Sequence, residues 1–122
     1  MHPFRKLTVW RKAHELTLLV YRASIQFERR HMGLASQARR AAHAIPANIA
    51  EGSGRVTNPQ FAQHLQIAIA SARELDYFLQ LAFDLGELPA SDYAKLEART
   101  TEVVRMLVAL RKTVVARVRS KT

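Results

Sequence analysis

The stretch Ile45-Pro46-Ala47-Asn48-Ile49-Ala50-Glu51-Gly52-Ser53-Gly54-Arg55 differs in character from the rest of the chain. It combines a proline, an amide, a carboxylate, two glycines and an arginine, whereas the flanking sequence is mostly alanine, leucine, valine and arginine at helical spacing. Pro46 falls inside a helical pattern, where it removes the amide that would bond to the carbonyl of Ala42 and should bend the helix. Gly52 and Gly54 are then expected to end that helix.

The polar residues of the same stretch suggest how the helix end is held. Asn48 and Glu51 are three residues apart and share a helix face. Arg55 follows the glycines and is placed to fold back onto Glu51 or onto the last carbonyls of the helix. A helix end fixed by hydrogen bonds is the main interpretation, and a recognition site for a phosphate or a partner at one end of a bundle is the alternative.

Apolar residues outside this stretch repeat in steps of three and four, which predicts helices throughout. Four helices are predicted, over about 8–30, 34–52, 59–85 and 92–118, with a wide apolar face on the first that includes Ile25. Thr8, Asn58 and Ser91 are the expected N-caps, and Gly86 the expected stop of the third helix. Short loops between four helices predict a single all-α domain, an antiparallel up-down-up-down four-helix bundle.

The composition fits one soluble domain. The chain has 122 residues and no cysteine, so it offers neither a disulfide nor a thiolate metal site. Charged residues interrupt the N-terminal segment before it resembles a signal peptide, and no window is apolar enough to span a membrane. We therefore expect a cytoplasmic protein.

Charge is distributed unevenly along the chain. The net charge of +9 divides into +7 over residues 1–61, −4 over residues 62–104 and +6 over residues 105–122. If the first and last helices are neighbours, the two basic segments form one surface that attracts phosphate backbones. A solvated, solubilising surface is the alternative. The candidate nucleic-acid-binding residues are Arg5, Lys6, Arg11, Lys12, Arg29, Arg30, Arg39, Arg40, Arg111, Lys112, Arg117 and Arg119.

Catalysis finds little support in the sequence. The five histidines lack the spacing of a metal site on a helix, and no nucleophile or phosphate-loop motif is present. We therefore expect neither an enzyme nor a cofactor. Glu74 lies close to the apolar seam of the third helix and is expected to pair with Arg39 or Arg40 of a neighbouring helix.

The fourth helix carries more apolar surface than one seam requires. A second stripe is formed by Val104, Val108, Val115 and Val118. Such a stripe favours a partner surface between copies of the chain, although a wide core-facing stripe would give the same pattern.

Several segments together resemble the four-helix-bundle family of the 23S rRNA-intervening-sequence protein, over nearly the whole length. The shared segments are Phe4-Arg5-Lys6-Leu7-x-Val9-Trp10, Gly33-Leu34-x-x-Gln37-x-x-Arg40-Ala41-Ala42, Ile45 to Arg55 as quoted above, Phe61 with Leu65-x-Ile67-Ala68, Ser71-x-x-Glu74-Leu75 and Leu85-Gly86. The family often has glycine before the serine of the third helix, where this chain has Ala70.

The resemblance implies an antiparallel bundle that assembles into a barrel-like homopentamer. One relative, the accessory variability determinant of diversity-generating retroelements, binds nucleic acid and partners a reverse transcriptase. Two functions are therefore carried forward. The first is a non-catalytic, oligomeric protein that binds RNA or DNA through its phosphates, and the second is a protein-interaction scaffold, such as a partner of a reverse transcriptase.

Overall fold

A computed structural model describes residues 3–55 and 57–120. A short 3-10 turn (Phe4–Lys6) precedes four helices, which are α1 (Thr8–Ser24), α2 (Met32–Ser53), α3 (Asn58–Asp84) and α4 (Ala90–Ser120). No strand occurs in these residues. Each helix packs against the next one in the chain and α4 packs against α1, which closes the ring. The predicted all-α four-helix bundle is confirmed.

Interhelical contacts give the direction of each helix. Lys12 of α1 pairs with Glu102 of α4 at 3.7 Å, and Glu15 of α1 pairs with Arg99 of α4 at 3.5 Å. Gln26, just after α1, lies 3.2 Å from Asp92 of α4. Residue numbers on α4 therefore fall as those on α1 rise, so the two helices are antiparallel. The beginning of α1 consequently lies beside the end of α4.

Small side chains let α2 approach its neighbours closely. Four alanines of α2 are no more than 3 % exposed: Ala35, Ala38, Ala41 and Ala42. The larger core side chains come from the facing helices and from Ile45 and Ile49, which are completely buried. Alanine also has the highest intrinsic helix propensity, so the same residues favour the helix itself.

Pro46 stays inside α2, where a hydroxyl from α1 compensates for its missing amide. Ala42 is fully buried, and its carbonyl would have no helical donor, because Pro46 has no N–H. The Oγ1 of Thr17 lies 3.1 Å from that carbonyl oxygen and 2.8 Å from the carbonyl oxygen of Ala13, and shares its proton between them. The proline is thus accommodated by a side chain from the adjacent helix.

Helix α2 ends at Ser53 with Gly54 as its C-cap, one residue beyond the end predicted at Gly52. A Cβ built on Gly52 would lie 2.6 Å from the Cβ of His64 and 3.0 Å from Cδ1 of Phe61. Gly54 follows the helix with an ordinary φ of −86°. Gly52 therefore serves the close packing of α2 on α3.

The first helix ends at Ser24, six residues before its predicted end. Beyond it the backbone tightens, with the amides of Gln26 and Phe27 bonded to carbonyls three residues earlier, at 3.2 Å each. This turn brings the Phe27 ring into the core, where it is 2 % exposed. Ile25 was expected to widen the apolar face but is 63 % exposed, because it lies on the outward side of the turn.

Each predicted N-cap lies inside its helix, by one position in α1 and α3 and by two positions in α4. Leu7 precedes α1, so Thr8 is its first helical residue. Thr57 caps α3, its hydroxyl oxygen accepting from the amide of Gln60 at 3.4 Å. Since α4 begins at Ala90, Ser91 lies within its first turn. In each case the helix takes in the residue expected to flank it.

Helix α3 ends just before Gly86, the residue predicted from the sequence to stop it. Gly86 has φ +75°, a left-handed conformation that glycine adopts without strain. The amides of Gly86 and Glu87 donate to the carbonyls of Phe83 and Ala82, each at 2.9 Å, which is the Schellman pattern of helix termination. Ala70, where the family often has glycine, is exposed on α3, so the extra methyl group meets no neighbouring helix.

Tyr93 joins the end of α3 to the beginning of α4. Its ring stacks on Phe83 with centroids 4.5 Å apart, and its hydroxyl lies 2.7 Å from both Glu97 and Gln80. The hydrogen bond to Glu97, partial burial and nearby carboxylates raise the pKa of Tyr93 from 10.0 to about 12. Deprotonation would place a second negative charge beside Glu97, so the neutral phenol is the stable form here.

Candidate nucleic-acid interface

One end of the bundle collects cations from the beginning of α1 and the end of α4. At the same end α2 finishes and α3 begins, since Arg111 Nε donates to the carbonyl of Ala62 at 3.3 Å. We define this basic end as residues 4–12, 45–55, 57–65 and 105–120. It holds ten lysines and arginines and a single carboxylate, that of Glu51. The remaining described residues of the helices and loops carry eight lysines and arginines and nine carboxylates.

The structure divides the predicted nucleic-acid-binding residues between two places. Eight lie at the basic end: Arg5, Lys6, Arg11, Lys12, Arg111, Lys112, Arg117 and Arg119. The other four, Arg29, Arg30, Arg39 and Arg40, lie at or near the opposite end, around the turn between α1 and α2. The expectation of a single surface therefore applies to the first eight alone.

Some of these cations are already engaged within the chain. Lys12 pairs with Glu102, Arg39 with Glu28 at 2.7 Å, and Arg30 with Glu87 at 3.3 Å. Glu87 also lies 3.5 Å from His31 and is only 10 % exposed, so it links the α1–α2 turn to the loop after α3. Ion pairs of this kind reduce the charge that is available to an external phosphate.

Two other cations of the basic end have local contacts that fix their side chains. The guanidinium of Arg5 lies 4.6 Å from the centroid of the Phe4 ring. Arg11 lies 3.4 Å from the carbonyl of Lys6 and from the hydroxyl of Thr8, which orients it without neutralising it. These side chains keep their positive charge and lose some conformational freedom, which favours phosphate contact.

Arg105 belongs to the same surface and was missed by the sequence analysis. Arg105, Lys112 and Arg119 are all exposed and recur every seven residues on α4. Seven residues make almost two helical turns, so the three side chains lie along one face. The seven-residue spacing was the signal that could have found Arg105, which has no basic neighbour in sequence.

The Ile45–Arg55 stretch lies at the basic end and is held by contacts that partly match the prediction. Arg55 folds back on Glu51 with a 2.6 Å hydrogen bond, so the one carboxylate of this end is paired. Asn48 is turned away from both. It donates to the carbonyl of Ala44 at 2.8 Å, and its Oδ1 lies 3.2 Å from Nδ1 of His64 on α3. Asn48 therefore joins two helices rather than closing the helix end.

Glu74 does not make either ion pair expected of it. Arg39 is bound to Glu28 and to the hydroxyl of Ser24 instead. Arg40 lines the same groove between α2 and α3 as Glu74, but within the described chain Glu74 has no basic group within 4.0 Å. The prediction placed Glu74 close to the apolar seam, whereas its side chain is exposed and its charge is solvated by water.

The valine stripe of α4 is half-buried within the single chain. Val104, Val108 and Val115 pack against the bundle's own core, and Val118 lies beyond that cluster. The most exposed large apolar side chains lie elsewhere, including Leu18, Tyr21 and Ile25 on or just after α1 and Met32 at the start of α2.

The described residues contain neither a cluster of metal ligands nor a membrane-spanning helix. No three of their histidine, aspartate and glutamate side chains are grouped as metal ligands would be. None of their helices combines the length and the hydrophobicity that crossing a bilayer requires.

Comparison with known proteins places the chain in a family. Residues 5–109 match the family model of the 23S rRNA-intervening sequence protein. The fold is similar to the crystal structure of a protein of unknown function from the S23 ribosomal protein family of Bacteroides thetaiotaomicron, with a TM-score of 0.81 and 22 % identity, over 86 % of this chain and 99 % of that one. No functionally curated protein matches. The family match covers the beginning of α1, the whole Ile45–Arg55 stretch and most of α4, and the chain therefore belongs to the 23S rRNA-intervening sequence protein family.

Proposed function

We propose that this protein is a non-catalytic accessory protein that binds RNA or DNA through the phosphate backbone at its basic end. The observation that carries the proposal is the collection of ten lysines and arginines with one paired carboxylate at one end of the bundle. Such a surface attracts polyanions at long range and binds them by releasing counterions. The family name, which refers to an rRNA gene element, supports RNA as the partner.

The residues of this surface favour contact with phosphates over reading of bases. The cations project from the outside of helices and from a 3-10 turn, so they are spread over several elements. Phosphate contacts position a nucleic acid without selecting its sequence. We therefore expect binding of many sequences with similar affinity and a strong dependence on salt.

A matched pair of double variants tests the proposal. Lys112→Ala with Arg117→Ala removes two exposed cations from the basic end, and Arg73→Ala with Lys95→Ala removes two exposed cations from elsewhere. Binding of a labelled RNA is measured by fluorescence anisotropy from 50 to about 300 mM salt. The first pair is expected to weaken binding at least tenfold and to reduce the slope of log K against log salt by about two, since each lost phosphate contact changes the slope by about 0.9.

The second pair serves as the control and is expected to change affinity less than threefold, roughly. Equal effects of the two pairs, or binding that does not respond to salt, would contradict the proposal. If the charge serves mainly solubility and the protein is a scaffold, for example for a reverse transcriptase, neither pair changes capture of that protein and nuclease treatment has no effect on it.

We also propose that the chain assembles into the homopentamer implied by its family resemblance, with the far end of the valine stripe at the contact. Val118 is half-buried, and it is the member of the stripe that lies beyond the chain's own core cluster. Light scattering is expected to give a mass about five times the 13.8 kDa of the chain. Val118→Asp should lower that mass without loss of helix content, and a monomeric wild-type protein would overturn this part of the proposal.

A further inference from the structure

A cleft of about 460 Å³ lies between the end of α1 and the beginning of α2, away from the basic end. The residues that line it include Tyr21, Met32, Arg29, Arg39 and Arg40. Ligand-binding pockets commonly have volumes of about 300 to 1,000 Å³. The cleft is thus large enough for a small organic group, and three of its lining residues are cationic.

One arginine of the cleft is fixed by its neighbours. Arg39 donates to the hydroxyl of Ser24 and to the carboxylate of Glu28, each at 2.7 Å, and its guanidinium lies 5.6 Å from the centroid of the Tyr21 ring. These contacts hold Arg39 and Tyr21 in one arrangement before any ligand arrives. They also neutralise Glu28, which is the only carboxylate in the lining of the cleft.

The other two arginines are available to an anion. Within the described chain, neither Arg29 nor Arg40 has a carboxylate within 4.0 Å. Both are exposed, so their rearrangement toward a ligand costs little. Guanidinium groups bind phosphate oxygens through two parallel hydrogen bonds, so these two arginines offer binding groups for a phosphate.

Beside these cations the cleft presents an aromatic and apolar surface. Tyr21 is 41 % exposed, although it is in contact with Arg39, and Met32 is 74 % exposed. A planar base that is not stacked in a duplex can stack on a tyrosine ring or on a guanidinium plane. A phosphate with an adjacent unstacked base can therefore contact both the arginines and the Tyr21 ring, whereas a duplex offers only the phosphate.

The outer face of α1 connects this cleft with the basic end. Arg11, His14, Leu18 and Arg22 are exposed on that face, and it carries no carboxylate between Arg11 and Arg22 other than Glu15, which is paired with Arg99. From Arg11 to Tyr21 the helix rises about 15 Å, a distance that a few nucleotides of single strand span. A strand bound at the basic end can thus reach the cleft without crossing an unfavourable charge.

We propose that the cleft between α1 and α2 binds an unpaired nucleotide, its base against Tyr21 and its phosphate against Arg29 and Arg40, and so gives the protein a preference for single-stranded over duplex nucleic acid. This inference rests on the proposed nucleic-acid binding and adds to it the form of the partner. Neither the family match nor the similar crystal structure assigns a ligand to this cleft.

Removal of the Tyr21 ring tests the inference without changing charge. The probes are a labelled single-stranded RNA of about twenty nucleotides and the same strand annealed to its complement. Tyr21→Ala is expected to weaken single-strand binding about tenfold, within the range found for loss of one base–aromatic stack, and to leave duplex binding unchanged. Tyr21→Phe keeps the ring and should restore single-strand binding, and Tyr77→Ala, which removes a 59 % exposed tyrosine from α3, is the matched control.

The outcomes separate this inference from the proposed function. Equal effects of Tyr21→Ala on both probes, or no effect on either, would overturn the inference while leaving nucleic-acid binding intact. Failure of the wild-type protein to bind either probe would instead overturn the proposed function.

Photo-crosslinking of the wild-type protein supplies a second test that does not depend on the stability of a variant. A single strand that contains 4-thiouridine is expected to crosslink to the peptide that contains Tyr21. Crosslinks confined to peptides of the basic end would count against the cleft.

Discussion

Gly52 lies where α2 and α3 pack together, and the absence of a side chain there allows the two helices to approach this closely. A Cβ at this position would lie 2.6 Å from the Cβ of His64, an atom that cannot rotate away because the backbone fixes it. Gly33 differs in this respect, since a Cβ built there has nothing within 4 Å. A side chain at position 52 would therefore clash with α3, whereas one at position 33 would meet no neighbour.

We expect Gly52→Ala to lower the free energy of unfolding by about 1–3 kcal/mol, because the helices must move apart to admit the methyl group. Gly33→Ala is the matched control and should be neutral or stabilising by up to about 1 kcal/mol, since alanine is the better helix former. Urea denaturation followed by circular dichroism measures both. Similar gains in the two variants would show that helix propensity, rather than packing, governs these positions.

The two kinds of glycine also show what the sequence can and cannot predict. Gly86 is followed by Pro89 and stands where the apolar repeat stops, so its role as a helix stop is visible in the local sequence. Gly52 stands near a helix end too, but its role depends on His64, twelve residues away on another helix. Local pattern carries no information on which side chain a neighbouring helix places opposite a residue.

Helix α1 and helix α2 are joined by the hydrogen bond from Thr17 to the carbonyl that Pro46 leaves without a helical donor. Thr17 lies between the buried residues Ala13 and Val20 on α1 and is itself only 8 % exposed. The bend expected of Pro46 follows from its ring alone, whereas the donor that accommodates it comes from twenty-nine positions earlier in the chain. The apolar seams could be predicted from residue spacing, whereas the hydrogen bond from Thr17 to Ala42 is visible only once α1 and α2 are packed together.

We expect Thr17→Val to destabilise the protein by about 1–3 kcal/mol, since it keeps the shape of the side chain and leaves a buried carbonyl without a donor. In a Pro46→Ala background the new amide can bond to Ala42, so the same Thr17→Val change should cost about 1 kcal/mol less. A double-mutant cycle by chemical denaturation measures this coupling. Strictly additive effects of the two substitutions would exclude the compensation.

Helices α3 and α4 are joined through Tyr93, and this contact should respond to alkaline pH. The folded protein raises the pKa of Tyr93 to about 12 from an unfolded value of 10.0, so folding favours the protonated phenol. The contribution of this hydroxyl to stability is therefore fully present below pH 10 and is lost as the pH rises toward 12.

Tyr93→Phe keeps the ring stacked on Phe83 and removes the titration. Its stability should fall less steeply than that of the wild type between pH 10 and 12, and the difference in absorbance at 295 nm between the two proteins should report ionisation near pH 12. A midpoint near pH 10 in that difference would mean that the hydrogen bond to Glu97 does not hold the proton.

Helix α1 ends earlier than its apolar repeat predicts. Its apolar repeat continues to Phe27, and the sequence therefore predicts a helix to about residue 30. Burial of the Phe27 ring is achieved by a tighter turn instead, which also positions Glu28 and Arg29 at the cleft. The periodicity identified the buried residue correctly and gave no indication of the backbone that carries it there.

Across the whole molecule, the separation of charge opposes stability at one end. The ten cations of the basic end repel one another with a single carboxylate among them, whereas the rest of the bundle is nearly balanced. Repulsion among exposed charges is weakened by dissolved salt. Surfaces that bind a polyanion commonly carry this cost, because the ligand supplies the missing negative charge.

The melting temperature of the wild type is therefore expected to rise between about 10 and 300 mM sodium chloride. Lys112→Glu should raise stability at low salt by a few tenths of a kcal/mol and reduce the dependence on salt. Arg73→Glu reverses an exposed cation in the balanced part of the bundle and should not be stabilising. A larger gain from Arg73→Glu than from Lys112→Glu would mean that the basic end is not under electrostatic repulsion.

The hydrogen bond between Thr17 and Ala42 has a consequence for how such sequences can change during evolution. A proline at position 46 is tolerable when a donor already stands at position 17, and loss of that donor is tolerable once the proline has gone. The two positions should therefore be inherited as a pair, with the hydroxyl appearing first and disappearing last. Substitution histories among relatives would record that order, although the two residues are far apart in sequence and both are buried.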